Sequence, residues 1–308
     1  MDIKKILKLF FVVLFALSIG YVHNRSSAEF TPSNWMLRVL DRNKLCEMNI
    51  PGTHRSASKR TSAFRGITSS CQSDTITEQL EKGVRYLDIG VDSDLWVNYG
   101  GVKCYKSTFE KLSLSDVFDD ASEFLEKNPT ETVIIQLHQE GDEREDFESN
   151  VDKEVWKRKN IYLPWKDPSA LTLGDVRGHI LLFSQSSNIH KTYRFDRWAE
   201  NCACWQLNLG KSAGLLQNFQ GDKTAEDKMK NIRYYYKTVW EGYPFKGIFY
   251  INFTNCGGAY CPKSEAKKVN EGLKSFISEN LVKKFGILVM DNPDYELIHS
   301  IYSLNYSF

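Results

Sequence analysis

The sequence predicts an α/β fold: one irregular β/α barrel in a single domain. Three observations predict it. Short apolar runs rich in β-branched and aromatic residues alternate with helix-patterned stretches from residue 29 to residue 308. Several runs are apolar throughout, as strands covered on both faces are. No Gly-rich dinucleotide or nucleotide fingerprint is present, which favours a closed barrel over an open nucleotide-binding sheet.

Residues 1–28 read as a signal peptide. Lys4, Lys5 and Lys8 precede an apolar run from Leu9 to Val22, and Ser26 and Ala28 put small residues before Glu29. The run is shorter than the ~20 residues a spanning helix needs. Cleavage would release residues 29–308 outside the cytoplasm; a retained signal-anchor would tether them to the membrane. No repeat, low-complexity tract or linker divides residues 29–308.

Strands are expected at 45–50, 84–91, 94–98, 131–138, 178–183, 246–253 and 285–290. Helices are expected between them. Asp74 is the candidate N-cap of a helix over 75–82. The stretch 114–127 carries Leu114, Val117, Phe118, Ala121, Phe124 and Leu125 at helical spacing and stops at Asn128-Pro129. Later helices are expected over 223–239 and 264–284. Residues 141–175 and 186–215 read as long irregular excursions.

With 42% apolar and 13% aromatic residues the chain can bury a sizeable core. Forty basic residues against 39 acidic leave a net charge of +1, so no basic footprint for nucleic acid is expected. A monomer is expected. The tryptophans read as packing residues. Asn252 and Asn305 each begin an N-x-Ser/Thr acceptor, the former inside an expected core strand.

Seven cysteines in an exported chain imply up to three disulfides and one thiol. Cys71 is expected to pair with Cys104, and Cys202/Cys204 with Cys256/Cys261. Cys46, in an apolar run, is the expected buried thiol. A zinc site from Cys202, Cys204, Cys256 and Cys261 is the alternative, although their spacing is not finger-like.

In a β/α barrel the working residues gather at the C-terminal strand ends. Those ends here read IPGTH (50–54), YLDIG (86–90), VNYGG (97–101), LHQE (137–140) and VMD (289–291). Pro51 and Gly52 read as a tight turn that delivers His54. The five endings bring His54, Asp88, Tyr99, His138, Glu140 and Asp291 to one mouth.

IPGTH, GVRYLDI (83–89), FLEKNPTETVIIQL (124–137), GHILLF (178–183), YINFTN (250–255) and GILVMD (286–291) together resemble the phosphatidylinositol-specific phospholipase C catalytic domain, in its small bacterial form. The matches occur in the family's order and span roughly residues 36–302. The resemblance implies a distorted TIM-type barrel acting on a phospholipid or glycolipid phosphodiester at a membrane surface. It implies a histidine base that activates an inositol hydroxyl against phosphorus, a second histidine that protonates the leaving group, and an arginine that clamps the phosphate.

Position by position the match is uneven. His54 falls on the base and Asp291 on the carboxylate that orients it. The aspartate that follows the base is Arg55 here, the clamping arginine is Gly90 and the second histidine is Tyr99. A family lysine falls on His138, an arginine on Gln185 and an aspartate on Asn218, whereas Glu140 keeps its match. The calcium ligands of larger relatives fall on Arg55, Asp88, Gly90 and His138, a poor oxygen shell, so no calcium or other cofactor is expected.

Three readings follow. One is a phosphoric diester hydrolase with impaired or redirected chemistry, in which Arg55 reaches the phosphate and His138 or Tyr99 supplies the proton. Another is a non-catalytic module that holds an anionic headgroup or a protein partner in the same mouth. The third is a structural or interaction protein that keeps only the barrel. Plainer roles also stand: His54 as a turn histidine, Asp291 as a helix N-cap before Asn292-Pro293, Tyr99 and His138 as packing residues, and Glu140 as part of a solvated acidic loop.

Overall fold

In a computed structural model of the chain, the structure describes residues 29–62, 70–141, 144–184, 189–194, 213–217, 224–242, 247, 249–255, 263–280 and 284–306, with backbone alone at 213–217 and 238–242. The expected signal peptide, Gln185, Asn218, Cys202, Cys204, Cys256 and Cys261 lie outside the described residues.

Eight strands form one parallel sheet: β1 (Ile50–Thr53), β2 (Tyr86–Val91), β5 (Val133–Gln139), β6 (Ile180–Ser184), β7 (Thr192–Arg194), β8 (Ala213–Gln217), β9 (Phe249–Phe253) and β10 (Ile287–Met290). Their spatial order is β7-β6-β5-β2-β1-β10-β9-β8. Each neighbouring pair is parallel. The first and last long strands of the chain are therefore neighbours at the middle of the sheet. Among the described residues β7 and β8 do not pair with each other.

Helices cover the strands: α1 (Ile76–Glu81), α2 (Leu114–Lys127), α3 (Phe147–Trp156), α4 (Leu173–Val176), α5 (Ala225–Gly242), α6 (Lys263–Glu279) and α7 (Tyr295–Tyr302). Helix α2 keeps its expected bounds, and all six stripe residues are buried. Ser113 caps it, accepting from Asp116 N at 3.2 Å while the Asp116 carboxylate takes the Ser113 N–H at 2.8 Å. Helix α1 is capped by Thr75 rather than Asp74. Asp74 instead pairs with Lys82.

Several expected elements are corrected. Leu45–Glu47 is one 3-10 turn, and the first strand starts at Ile50. Pro51 and Gly52 lie within that strand, not in a turn. Pairing to β2 begins at Gly52↔Tyr86, so Pro51 withholds no bond from that ladder. A Cβ on Gly52 would stand 3.0 Å from the Tyr86 side chain and 3.2 Å from Leu288 O, so glycine lets both neighbours close in.

The run 94–98 is not a barrel strand. Leu95 takes φ +63°, Trp96 and Val97 form only isolated antiparallel bridges to Ser113 and Val91, and the short β3 (Asn98–Tyr99) pairs antiparallel with β4 (Val102–Lys103). The excursions hold more structure than expected: α3 and the start of α4 fall within 141–175, and β7 within 186–215.

The core is continuous around the sheet, with a second cluster where α5 and α6 meet β10 through Tyr236, Phe276 and Phe285. Beneath the strands' N-terminal ends lies a fully buried ion pair, Arg85 Nη2–Glu131 Oε2 at 2.8 Å. Trp35 stacks on Tyr302 beside it, ring centroids 5.3 Å apart. Asn252 is buried in β9, which argues against it as a glycan acceptor. Among the described residues no helix is long and apolar enough to cross a membrane.

Candidate active site

The register Thr53↔Met290 between β1 and β10 puts the next residues, His54 and Asp291, side by side at the strands' C-terminal ends. His54 Nδ1 lies 2.8 Å from Asp291 Oδ1, and both residues are buried. A carboxylate only accepts, so Nδ1 carries a proton, and in the neutral imidazole Nε2 is left with a lone pair. The helix-cap alternative for Asp291 is overturned: the cap of α7 is Asp294, which accepts from Leu297 N at 2.9 Å.

Two residues outside the sequence reading hold this pair in place. Gln72 donates from Nε2 to His54 O (2.7 Å) and Met290 O (3.0 Å), and accepts from Asn292 N (3.2 Å). Asn270, on α6, donates to Asp291 O at 3.0 Å. Both are amides with no distinguishing sequence neighbourhood, so no local signal marked them.

The second group centres on Asp88 of β2. Its Oδ2 accepts from Arg55 N at 2.9 Å, and its Oδ1 stands 3.4 Å from His138 Nδ1. Ser56 bridges β1 and β2 by accepting from Asp88 N at 2.8 Å and donating to Thr53 O at 2.8 Å. Arg55 takes φ +45°, a conformation costly for a residue with a Cβ. Its guanidinium lies 5.8 Å from the Tyr99 ring centroid and forms no ion pair among the described residues.

His138, opposite Gly90 in register, places Nε2 3.0 Å from Glu140 Oε1. The other Glu140 oxygen accepts from Gly100 N at 2.9 Å. Glu140 is thus tied into the site rather than lost in a solvated loop. Burial pulls the His138 pKa down, but the Glu140 hydrogen bond and the Asp88 charge outweigh it, so His138 sits above the ordinary histidine value. Burial pushes Glu140 up, and its bonds to His138 and Gly100 bring it below the usual range.

Tyr99 is buried; its hydroxyl donates to Asp88 O at 3.0 Å and accepts from Ala57 N at 3.3 Å. Burial, with the Cys104 and Asp88 charges, raises its pKa well above the usual phenol value. That makes it a poor proton donor. At Gly90 a Cβ would stand 2.6 Å from Asn98 O, 2.7 Å from His138 Nε2 and 2.8 Å from Glu140 Cγ. The space in which an arginine would start is filled.

The expected Cys71–Cys104 disulfide is corrected: both are thiols, as is Cys46. Cys104 is buried at the β3–β4 hairpin, where burial pushes its thiol up to about 12. Cys71 points the other way, toward His54 and Asp291. Its Sγ, an imidazole nitrogen and a carboxylate oxygen all lie within 4.8 Å of one another. Burial and the Asp291 charge hold the Cys71 thiol well above its usual pKa.

Residues 48–186 match the family model described as phosphatidylinositol-specific phospholipase C, X domain. That span holds His54, Arg55, Asp88, Gly90, Tyr99, His138 and Glu140; Asp291 lies beyond it. The chain is 26% identical over 286 residues to a 1-phosphatidylinositol phosphodiesterase of Listeria monocytogenes, covering 89% of this chain and 86% of that one. It is 25% identical over 326 residues to a 1-phosphatidylinositol phosphodiesterase of Staphylococcus aureus, covering 95% and 94%. The solved Listeria monocytogenes phosphatidylinositol-specific phospholipase C superposes with a TM-score of 0.71 at 24% identity, over 91% of this chain and all of that one (100%). A structure of the Staphylococcus aureus phosphatidylinositol-specific phospholipase C superposes with a TM-score of 0.72 at 21% identity, over 88% and 97%. At these identities the superpositions establish the barrel-type fold.

Proposed function

We propose, for a chain whose residues 48–186 match a phosphatidylinositol-specific phospholipase C X domain, an exported phosphodiester-handling protein with a depleted catalytic set. Its substrate class is a lipid or glycolipid phosphodiester at a membrane surface. The single observation that carries this reading is the 2.8 Å His54–Asp291 contact at the C-terminal end of the sheet. In it, Asp291 fixes the His54 tautomer and stabilises the imidazolium that forms when Nε2 takes a proton. The base abstracts that proton from a hydroxyl next to the phosphate, and the freed oxygen attacks phosphorus to close a cyclic phosphate.

The leaving alkoxide then needs a proton, and the phosphate needs a cation. Tyr99 and Gly90 supply neither. Of the groups at the mouth, His138 is the better proton donor, because, against the pull of burial, the Glu140 hydrogen bond and the Asp88 charge favour its protonated form. Arg55, the residue after His54, has no carboxylate ion-pair partner among the described residues. A missing general acid costs about 10²–10⁴ in rate. Turnover is therefore slow relative to a full set. No calcium-dependent step is proposed, because Arg55 and His138 stand where a hard cation would need oxygens.

A specific observation favours a second reading, a non-catalytic headgroup-binding module. Asn98 O, His138 and Glu140 crowd Gly90, the position at which the resemblance expects a clamping arginine. One experiment separates the two. The purified protein is incubated with phosphatidylinositol vesicles beside His54→Ala, and inositol cyclic phosphate is followed by phosphorus NMR. Product that disappears in His54→Ala supports slow catalysis. Equal background in both, with vesicle binding retained, replaces it with the binding module.

A further inference from the structure

His54, Cys71 and Asp291 bring one nitrogen, one sulfur and one oxygen within 4.8 Å of each other. Tetrahedral zinc takes these donors at about 2.0–2.3 Å, which sets ligand–ligand edges of roughly 3.3–3.8 Å. Side-chain shifts of about 1 Å close the cluster to that size. The donor set is too soft and too small for calcium, which wants 6–8 oxygens, and suits a thiophilic divalent cation.

A second observation points to a ligand. Asp291 is 4% exposed, and its Oδ2 accepts no hydrogen bond among the described residues. A buried carboxylate oxygen without a donor is costly, and a cation satisfies it. The backbone around the cluster is already fixed. Gln72 holds His54 and Met290, Asn270 holds Asp291, and Cys71 N donates to Ser58 Oγ at 3.0 Å.

We propose that His54, Cys71 and Asp291 form an inhibitory site for zinc. On binding, the Cys71 S–H bond breaks, its proton goes to solvent and the sulfur bonds the metal. The His54 proton moves from Nδ1 to Nε2, and the freed Nδ1 lone pair and one Asp291 oxygen complete three protein ligands, with water as the fourth. Protonated Nε2 then has no lone pair with which to take a proton. Metal binding stands apart from the proposed function; only the inhibition rests on it.

The test uses the full chain, reduced, with cobalt(II) as a spectroscopic probe and zinc as competitor. Wild type is expected to show a near-ultraviolet thiolate-to-cobalt band that zinc abolishes. Cys71→Ser, confirmed folded by circular dichroism, loses that band and at least about tenfold in zinc affinity, which is the least that disturbing a metal site costs. Cys104→Ser and Cys46→Ser keep both, and zinc slows alkylation of Cys71 as read by peptide mass spectrometry. Unchanged cobalt binding in folded Cys71→Ser, or Cys71 alkylated equally with and without zinc, overturns the site. If zinc binds as expected but neither protein turns over phosphatidylinositol, the catalytic reading fails and the metal site stands.

Discussion

His54 and Asp291 are 237 positions apart in the chain, yet Nδ1 and Oδ1 are 2.8 Å apart. The contact exists because β1 pairs with β10, and it makes Asp291 more than a neighbour. Asp291→Asn replaces an acceptor-only group with an amide that also donates, and the His54 tautomer is no longer fixed. Any cyclic-phosphate production is expected to fall by about 10²–10⁴, as for loss of a working acid–base group. Vesicle binding should change little. Undiminished turnover in Asp291→Asn would show that the pair plays no part in the chemistry.

Arg55 offers a charge in a strained backbone conformation. Arg55→Gly removes the charge and suits φ +45°, so stability is expected to stay within about 1 kcal/mol of wild type. Affinity for anionic vesicles should fall by on the order of tenfold or more, the worth of a charge-assisted contact. Flotation with phosphatidylinositol vesicles at two salt concentrations reads it. Equal binding by the two proteins removes Arg55 from the phosphate.

The His138–Glu140 contact predicts a pH signature. His138 is held above its ordinary value of 6.5, so its contribution is full below that value and is lost as the pH rises through the raised one. Glu140 is held below its ordinary 4.5, so its contribution is full above that value and fades as the pH falls. The stability gap between wild type and His138→Gln, from urea titrations, should be widest between pH 4.5 and 6.5 and shrink on either side. A gap that grows steadily toward alkaline pH contradicts the assignment.

Gly90 is closed in by Asn98 O and the His138 and Glu140 side chains, the tightest at 2.6 Å. Gly90→Ala is expected to destabilise by about 1–3 kcal/mol through overpacking. The triple variant Arg55→Asp, Gly90→Arg, Tyr99→His should raise turnover only if the Asn98 backbone and the His138 and Glu140 side chains all give way at position 90. Denaturant melts and the phosphorus NMR assay report the two effects separately.

At the opposite end of the barrel, Glu131→Gln leaves the fully buried Arg85 uncompensated. A loss of about 3–5 kcal/mol is expected, because the charge keeps its desolvation cost without its partner. A guanidinium midpoint equal to wild type would mean that water or other groups take over the role of Glu131.

Much was legible in local pattern. Helix α2 is readable to the residue, because a 3.6-residue stripe and the Asn128-Pro129 stop act within one segment. Strands β2, β5 and β6 are readable because fully covered strands are apolar throughout. The run 94–98 misled because its composition is strand-like, while Leu95 at positive φ diverts the chain into a hairpin. Cys71 misled because cysteine count and compartment say that bonds form, not which way a side chain points.

The sequence by itself determined the class of fold, the stop of α2 at Asn128-Pro129 and the identities at the strand ends, among them Arg55, Gly90 and Tyr99. Those depend on neighbours a few residues apart and on motif order. The pairing of His54 with Asp291 was expected from the family resemblance; tertiary structure alone decided that Gln72 and Asn270 brace them, that Cys71 joins them and that His138 fills the space over Gly90. These contacts join segments whose adjacency follows from strand order and register, and no local window contains that information.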